Sequence, residues 1–392
     1  MLTSAGGGAI GVCTAYYLTR HPSYNPERHK ITLLEATRIA GGASGKAAGC
    51  LGEWAEPKCI AKASWRLHNE LAQEYDGVVN WGFRRVASAD CDLVHEHPED
   101  KRPGQPDDED DGKGPVVHSP RDVDWVKQDK FKWFKPEGST AQIMPFDFVS
   151  KLSALAQASG VKIVLGRAES IKLSQEEDAV QAVSFKTSHS SDEQQLLASD
   201  VIVSAGPWTN KILPEAPIRG ELSTAIVVQP EREISGVVLF FDPGDFDSNN
   251  PNSQLEIYPR PDKTVYMSGS PVADLKLPDS TDEVHPDPAR VKGIHGKCGI
   301  VSDALSHSKL LKSQACFRPV VDIDDWDIEG SALIGPTGIR GLLLAAGHNH
   351  WGIQNSPITG KVMSELVFDG QAKSADISSL DPRQHLRFSS KL

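Results

Sequence analysis

The chain has 392 residues, 39% hydrophobic and 24% charged, an ordinary globular composition with room for two packed domains. Its net charge of −12 argues against a nucleic-acid or anionic-membrane partner, either of which would need a basic face. No apolar run nears the roughly 20 residues that cross a bilayer, so no membrane span is expected.

The chain opens on Met1-Leu2-Thr3-Ser4-Ala5 and then the turn Gly6-Gly7-Gly8-Ala9-Ile10-Gly11. Gly6, Gly8 and Gly11 form a G-x-G-x-x-G pattern, and no secretory leader is expected ahead of it. The apolar segment Ala9–Thr19 predicts a buried helix that starts on the turn. Such a turn seats a dinucleotide. Its glycines let the backbone approach the pyrophosphate, and the helix N-terminus offers N–H groups and a positive dipole end. The residues before Gly6 are poor strand formers, so the strand feeding the turn is expected to be shortened or partly missing, as a misassigned start would produce. Lys30–Leu34 predicts the next strand, ending at Glu35, whose carboxylate suits ribose hydroxyls. It falls somewhat beyond the usual spacing of about 20 residues, an excess explained by the polar insertion His21–His29.

Arg38–Gly52, rich in Gly, Ala and Ser, predicts a loop in close backbone contact with something. Pro57–Trp81 predicts a helix. Glu96–Gly114, with its acid run Asp107–Asp111, predicts a mobile surface loop. Pro145–Ser159 predicts a helix, and Val161–Leu165 and Asp200–Val203 predict buried strands. Ile218–Val228, Val237–Phe241, Leu255–Tyr258 and Val265–Ser268 predict an antiparallel sheet, with a hairpin turn at Asp262-Lys263. Pro288–Leu311 predicts a helix and Leu342–Ala346 a buried strand, followed by a glycine-rich bend and a helix over Ser356–Phe368. βα units at both ends with antiparallel strands between them predict an α/β fold, α+β overall. A doubly wound Rossmann-type domain is interrupted by an antiparallel-sheet substrate domain. The expected division is 1–80, 140–217 and 318–392 for the nucleotide domain, and 81–139 and 218–317 for the substrate domain.

Cys13, Cys50, Cys59, Cys91, Cys298 and Cys316 are scattered with no CxxC pair, so neither a metal site nor a disulfide framework is expected and a reducing compartment fits. The chain ends in Ser390-Lys391-Leu392, an address read by the peroxisomal import receptor. The peroxisomal matrix is therefore the expected location, with the cytoplasm as the alternative.

Five further segments carry a resemblance. They are Gly41-Gly42-Ala43-Ser44-Gly45-Lys46-Ala47-Ala48-Gly49; Asp200-Val201-Ile202-Val203-Ser204-Ala205-Gly206-Pro207-Trp208; Phe317-Arg318-Pro319; Ile334-Gly335-Pro336; and Ala346-Gly347-His348 followed by Gly352-Ile353 and Thr359-Gly360. Taken in order over nearly the whole chain, they resemble the D-amino-acid oxidase superfamily in its glycine oxidase and sarcosine oxidase branch, with the fungal relatives in it. The resemblance implies FAD rather than NAD. It implies contacts from Gly6, Gly8, Ala9, Ile10, Gly11, Glu35 and Ala36, then Ala43, Ser44, Lys46, Ala47, Ala48 and Gly49. Glu169, Ala205, Gly206 and Trp208 follow, then Gly347, His348, Gly352, Ile353 and Gln354. It also implies oxidation of an amino acid or N-substituted amine to an imine, with O2 reduced to H2O2. Arg318 falls where relatives hold the substrate carboxylate, and a planar two-pronged donor suits that anion. His350 falls near a second pocket position. Glu256 falls where glycine oxidase carries a pocket tyrosine, a departure that suggests a cationic substrate group. Cys316 falls near the position of covalent flavin attachment in sarcosine oxidases. The alternatives are a flavin dehydrogenase with another electron acceptor and a non-catalytic binding or trafficking protein of the same fold.

Overall fold

The computed structural model describes residues 1–93, 116–117, 123–127, 131–134, 138–176, 178–190, 192–241, 254–323 and 332–386. The acid run Asp107–Asp111 and the C-terminal Ser390-Lys391-Leu392 lie outside them. Two large sheets dominate. A six-stranded sheet runs in the order Leu333–Pro336, Leu342–Ala346, Asp200–Val203, Leu2–Ala5, Ile31–Glu35, Lys162–Leu165. All neighbours are parallel except the first pair. This is the doubly wound nucleotide sheet expected from the sequence.

The first strand corrects an expectation. Leu2–Ala5 is short but whole: it sits at the centre of the sheet, is buried throughout, and pairs along its full length with strands on both sides. Its small polar residues suit a tight interior. Thr3 and Ser4 are buried, and the Ser4 and Ser204 hydroxyls share a hydrogen bond of 3.3 Å. β-branched residues are not required where both neighbouring strands supply the pairing.

Helices Ala9–Arg20, Lys58–Glu74, Pro145–Ala158 and Gly352–Asp369 cover one face of this sheet and share one apolar core that includes Val12, Leu18, Ile60, Phe148, Leu152, Ile358 and Val362. Gly360 lets two of these helices touch backbone to backbone, since a Cβ there would lie 2.5 Å from the Cys13 carbonyl carbon. The sequence places the last helix at Ser356, but it begins at Gly352. Pro357 cannot donate to Ile353 O, and the His68 ring Nε2 takes that place at 3.0 Å. The expected helix Pro57–Trp81 is two helices, Lys58–Glu74 and Gly77–Trp81, parted at Asp76 with φ 48°. The expected loop Arg38–Gly52 contains a helical turn, Ala43–Lys46, and a strand, Cys50–Gly52.

The second sheet runs Lys309–Val321, Ile218–Gln229, Val265–Gly269, Leu255–Pro259, Val237–Phe241, Arg84–Leu93, then Phe131–Phe134 and Val116–Val117. It is antiparallel except where Val237–Phe241 meets Arg84–Leu93, so the expected all-antiparallel sheet is mixed. Lys263, at φ 66°, marks the predicted hairpin turn. The expected helix Pro288–Leu311 stops at Val301; after a short turn at Asp303–Ser306 the chain becomes the long strand Lys309–Val321. The expected division between 317 and 318 falls inside that strand, which pairs with Ile218–Gln229 along its whole length. Sequence reading also missed a small antiparallel sheet of Arg167–Leu173, Val180–Lys186 and Gln194–Leu197.

Candidate active site

A cleft of about 940 Å³ extends from the glycine turn, past the carboxyl ends of the parallel strands, to one face of the second sheet. This is where an open α/β sheet places its ligand. At the turn, only glycine fits. A Cβ on Gly11 would lie 1.8 Å from Gly6 O, and one on Gly6 would lie 2.2 Å from Ser204 O. Gly6, Gly7, Gly8, Ala9 and Ile10 line the cleft. The Ala9 N–H donates to Ser44 Oγ at 2.8 Å, which ties the start of the helix to the small-residue loop.

Glu35 lines the cleft beside the turn. Its carboxylate accepts the N–H groups of Gly7 at 2.7 Å and Thr37 at 2.8 Å, so it is held in one orientation at the end of its strand. Ala36, Ala43, Ser44, Ala47, Ala48 and Gly49 form the adjoining wall, and Glu169, Ala205, Gly206 and Trp208 face them. Trp208 is anchored by donating from Nε1 to Pro278 O at 2.7 Å. Lys46 also lines the cleft; its Nζ donates to Ala315 O at 2.9 Å, and burial lowers its pKa.

Three expected contacts do not reach the wall. Gly11 is turned back on Gly6 and serves the tight turn. Gly347 is pressed against the Val321 side chain. Gln354 is buried, accepting from Gly52 N and donating to Ala61 O, so its amide is spent on holding two helices and a strand together. His348, Gly352 and Ile353 do line the cleft. His348 is buried, its Nε2 lies 3.1 Å from Thr359 Oγ1, and burial lowers its pKa to about 3. It is therefore neutral.

The opposite wall comes from the second sheet. Directly paired residues on neighbouring strands share a face. One such row is Asp90, Phe240, Glu256, Ser268, Ala225 and Gln314. On the last two strands the same face carries Ser223 opposite Cys316, and Glu221 opposite Arg318. Asp90, Phe240, Glu256, Ser268, Ser223, Cys316 and Arg318 all line the cleft. Arg318 donates to Glu221 Oε2 at 3.3 Å, while its Nε is buried without a partner. Cys316 is buried; burial raises its thiol pKa, and the nearby Lys46 and Arg318 charges work against that rise. His350 opens onto the cleft with its ring 4.8 Å from that of Trp351; the surrounding protein, and then the Arg318 charge, lower its pKa to about 4.

The sequence reading missed the aromatic part of the chamber. Trp54, Phe240, Tyr258, Tyr266 and Trp351 line it, linked by edge-on contacts: Trp54–Trp351 at 5.4 Å, Trp54–Phe240 at 5.8 Å, Phe240–Tyr258 at 5.9 Å and Tyr258–Tyr266 at 5.7 Å. Period-two alternation predicts strands for Phe240, Tyr258 and Tyr266, but only the pairing register shows that these three share a face with Arg318, and Trp54 and Trp351 join them from turns.

The residues present fit FAD. A backbone cradle at a helix N-terminus suits its pyrophosphate, and a fixed carboxylate at the next strand end suits its ribose. Among the described residues, the buried His348 Nδ1 and Asn349 Oδ1 have no partner at the bend beside the cleft, as a cofactor-contacting segment would.

The chain belongs to the DAO family of FAD-dependent oxidoreductases, whose sequence model matches residues 5–366, and FAD is its cofactor. It is similar to the Saccharomyces cerevisiae protein TDA3, 31% identical over 496 aligned positions covering 96% of this chain and 93% of the relative. It is also similar to C1F5.03c of Schizosaccharomyces pombe, 30% identical with 97% of each chain covered. Both names carry "oxidoreductase" without a substrate. Among solved structures, glycine oxidase from Bacillus cereus superposes with a TM-score of 0.73 at 18% identity, covering 100% of this chain and 99% of that one. L-proline dehydrogenase from P. horikoshii gives 0.73 at 15% identity, covering 98% of each. At these identities the likeness is one of fold.

Proposed function

We propose that the protein oxidises an amino acid or N-substituted amine at the carbon–nitrogen bond, giving an imine, with O2 as the final acceptor and H2O2 as the by-product. The observation that carries this reading is Arg318, a guanidinium held on the cleft face of the second sheet with one arm on Glu221 and a buried Nε unpartnered. A carboxylate is the anion such a fork accepts best.

Held by the glycine turn, Glu35 and the small-residue loop, FAD would supply an acceptor for the α-carbon's hydride and a route for that electron pair to O2. The chain's own residues do the rest. Arg318 fixes the substrate by its carboxylate and so orients the α-carbon. His350 is neutral near pH 7, so it brings no second positive charge to compete for the carboxylate and can accept a hydrogen bond from the amine. Trp54, Phe240, Tyr258 and Trp351 exclude water, which strengthens the electrostatic interactions within the chamber. The N–H proton leaves to solvent, and the imine hydrolyses after release.

The C-terminal Ser390-Lys391-Leu392 supports a peroxisomal location, where peroxide is disposed of. The test is a titration of the FAD-loaded protein, without oxygen, by glycine, sarcosine, D- and L-amino acids and cyclic amino acids. Bleaching of the flavin band by at least one of them, followed by stoichiometric peroxide on admitting air, is expected. Bleaching that needs a dye acceptor to reverse would select a dehydrogenase, and no bleaching by any amine would overturn the reading.

A further inference from the structure

Glu256 is a carboxylate with no cation of its own. Its Oε2 accepts from Tyr258 Oη at 2.6 Å and from Ser268 Oγ at 3.1 Å, and its Oε1 accepts from Gln254 Nε2 at 3.2 Å. All three donors are neutral, and among the described residues no lysine, arginine or histidine pairs with it. Neutral donors fix a carboxylate in place but leave its charge uncancelled. A half-buried negative charge facing a chamber is costly unless something positive enters that chamber.

Its surroundings point to the kind of cation. Phe240 is the direct cross-strand neighbour of Glu256, and Asp90 is the neighbour of Phe240 on its other side. An aromatic ring beside the Glu256 carboxylate, both facing the cleft, attracts an alkylammonium or guanidinium by charge and by its π face together. Trp54 stands edge-on to Phe240 at 5.8 Å and closes that corner.

The sheet register sets the length of the ligand. Glu256 and Arg318 are separated by three strand spacings and by four residues along the strand. That places their backbones roughly 19 Å apart along the sheet. Each charged head reaches onto the neighbouring strand on the other's side, Arg318 to Glu221 and Glu256 to Ser268, which shortens the gap between them. A glycine-sized zwitterion cannot touch both. An extended lysine or arginine, with a hydrogen bond at each end, spans about 13 Å, comparable to the gap left once both heads reach inward from backbones roughly 19 Å apart.

We propose that Glu256, with Phe240, is a specificity site for a distal cation, and that the substrate is an amino acid carrying a second, basic nitrogen at the end of a long side chain. This rests on the amine-oxidation reading for the chemistry but not for the binding. The test uses the FAD-loaded protein and the change in its flavin absorbance on adding D- or L-lysine, or the neutral isostere norleucine, without oxygen. Lysine is expected to bind at least about tenfold more tightly than norleucine, and Glu256→Gln, which keeps the side chain's size, is expected to bring the two within about threefold, chiefly by weakening lysine. Equal binding of the two by the wild type, or a preference untouched by Glu256→Gln, would overturn the proposal. Selective, Glu256-dependent binding of lysine without flavin reduction would uphold the cation site and count against lysine oxidation alone.

Discussion

Arg318 and Glu221 stand directly opposite one another on paired strands, and the guanidinium reaches the carboxylate at 3.3 Å with both side chains mostly buried. Glu221 also takes Arg219 at 2.9 Å, so one carboxylate is shared between two guanidinium groups. That sharing leaves Arg318 with positive charge to spend on the cleft. Replacing Arg318 by Ala is expected to lower kcat/KM on carboxylate-bearing amines by on the order of 10²–10³. On the matching amide or ester the loss should shrink to a few-fold, because no carboxylate remains to be gripped. An equal loss on both substrate types would mean that Arg318 is structural. Glu221→Gln leaves two guanidinium groups beside a mostly buried neutral amide and should cost about 3 kcal/mol in stability.

The glycine turn separates a folding role from a binding role. Gly11→Ala drives a Cβ into Gly6 O, backbone against backbone, and is expected to destabilise the protein by about 1–3 kcal/mol or more, with or without FAD. At Gly8 a Cβ would meet only Ser44 Oγ, at 3.0 Å. Gly8→Ala should therefore leave the melting temperature of the FAD-free protein nearly unchanged while weakening FAD retention. Thermal melts of both variants, paired with flavin absorbance after dialysis, check the contrast. If Gly8→Ala melts as early as Gly11→Ala, the turn has no such division of labour.

The contrast between these glycines also shows how far the sequence could be read. Gly6, Gly8 and Glu35 announce a dinucleotide because turn geometry and spacing are local properties. Gly11, equally prominent in the motif, turns out to face the turn and not the ligand, and the motif alone cannot separate the two roles. Thr3 and Ser4 misled because strand propensity is weak beside pairing on both flanks. The last helix was placed late because Pro357 reads as a helix start, whereas His68 and Ser64, distant in sequence, satisfy the carbonyls it strands. Trp54, Phe240 and Tyr266 were invisible as a group because their meeting depends on the register of three strands and a loop. Arg318, Glu256 and His350 are named by resemblance alone, the structure places all three on the cleft, and the neutral surroundings of Glu256 are visible only there.

The C-terminal tripeptide makes a prediction independent of the chemistry. A fluorescent protein fused ahead of the chain, leaving Leu392 free, should collect in peroxisomes. The same fusion with residues 390–392 removed should spread through the cytoplasm. Identical distributions from the two fusions would remove the peroxisomal proposal and leave the flavin site untouched.

His68 ties acid sensitivity to the broken helix ladder. Its ring is buried, with Nε2 3.0 Å from Ile353 O and 3.2 Å from Gln354 O, standing in for the N–H that Pro357 lacks. Burial lowers its pKa to about 4, so the folded protein keeps it neutral. The unfolded chain takes up a proton near the ordinary value of about 6.5. Between those two pH values the unfolded state binds more protons, so stability is full above pH 6.5 and falls as the pH drops toward 4. One such group contributes a slope of at most about 1.4 kcal/mol per pH unit. The buried His348 acts in the same direction, so the wild-type slope is steeper than His68 alone would make it. Glutamine can donate from its amide to the same carbonyls and does not titrate. His68→Gln is therefore expected to be less stable at neutral pH but to lose stability more gently on acidification. Urea unfolding of the FAD-loaded proteins at several pH values from 7 to 4.5 measures the difference, and parallel curves for the two proteins would show that His68 is not the titrating group.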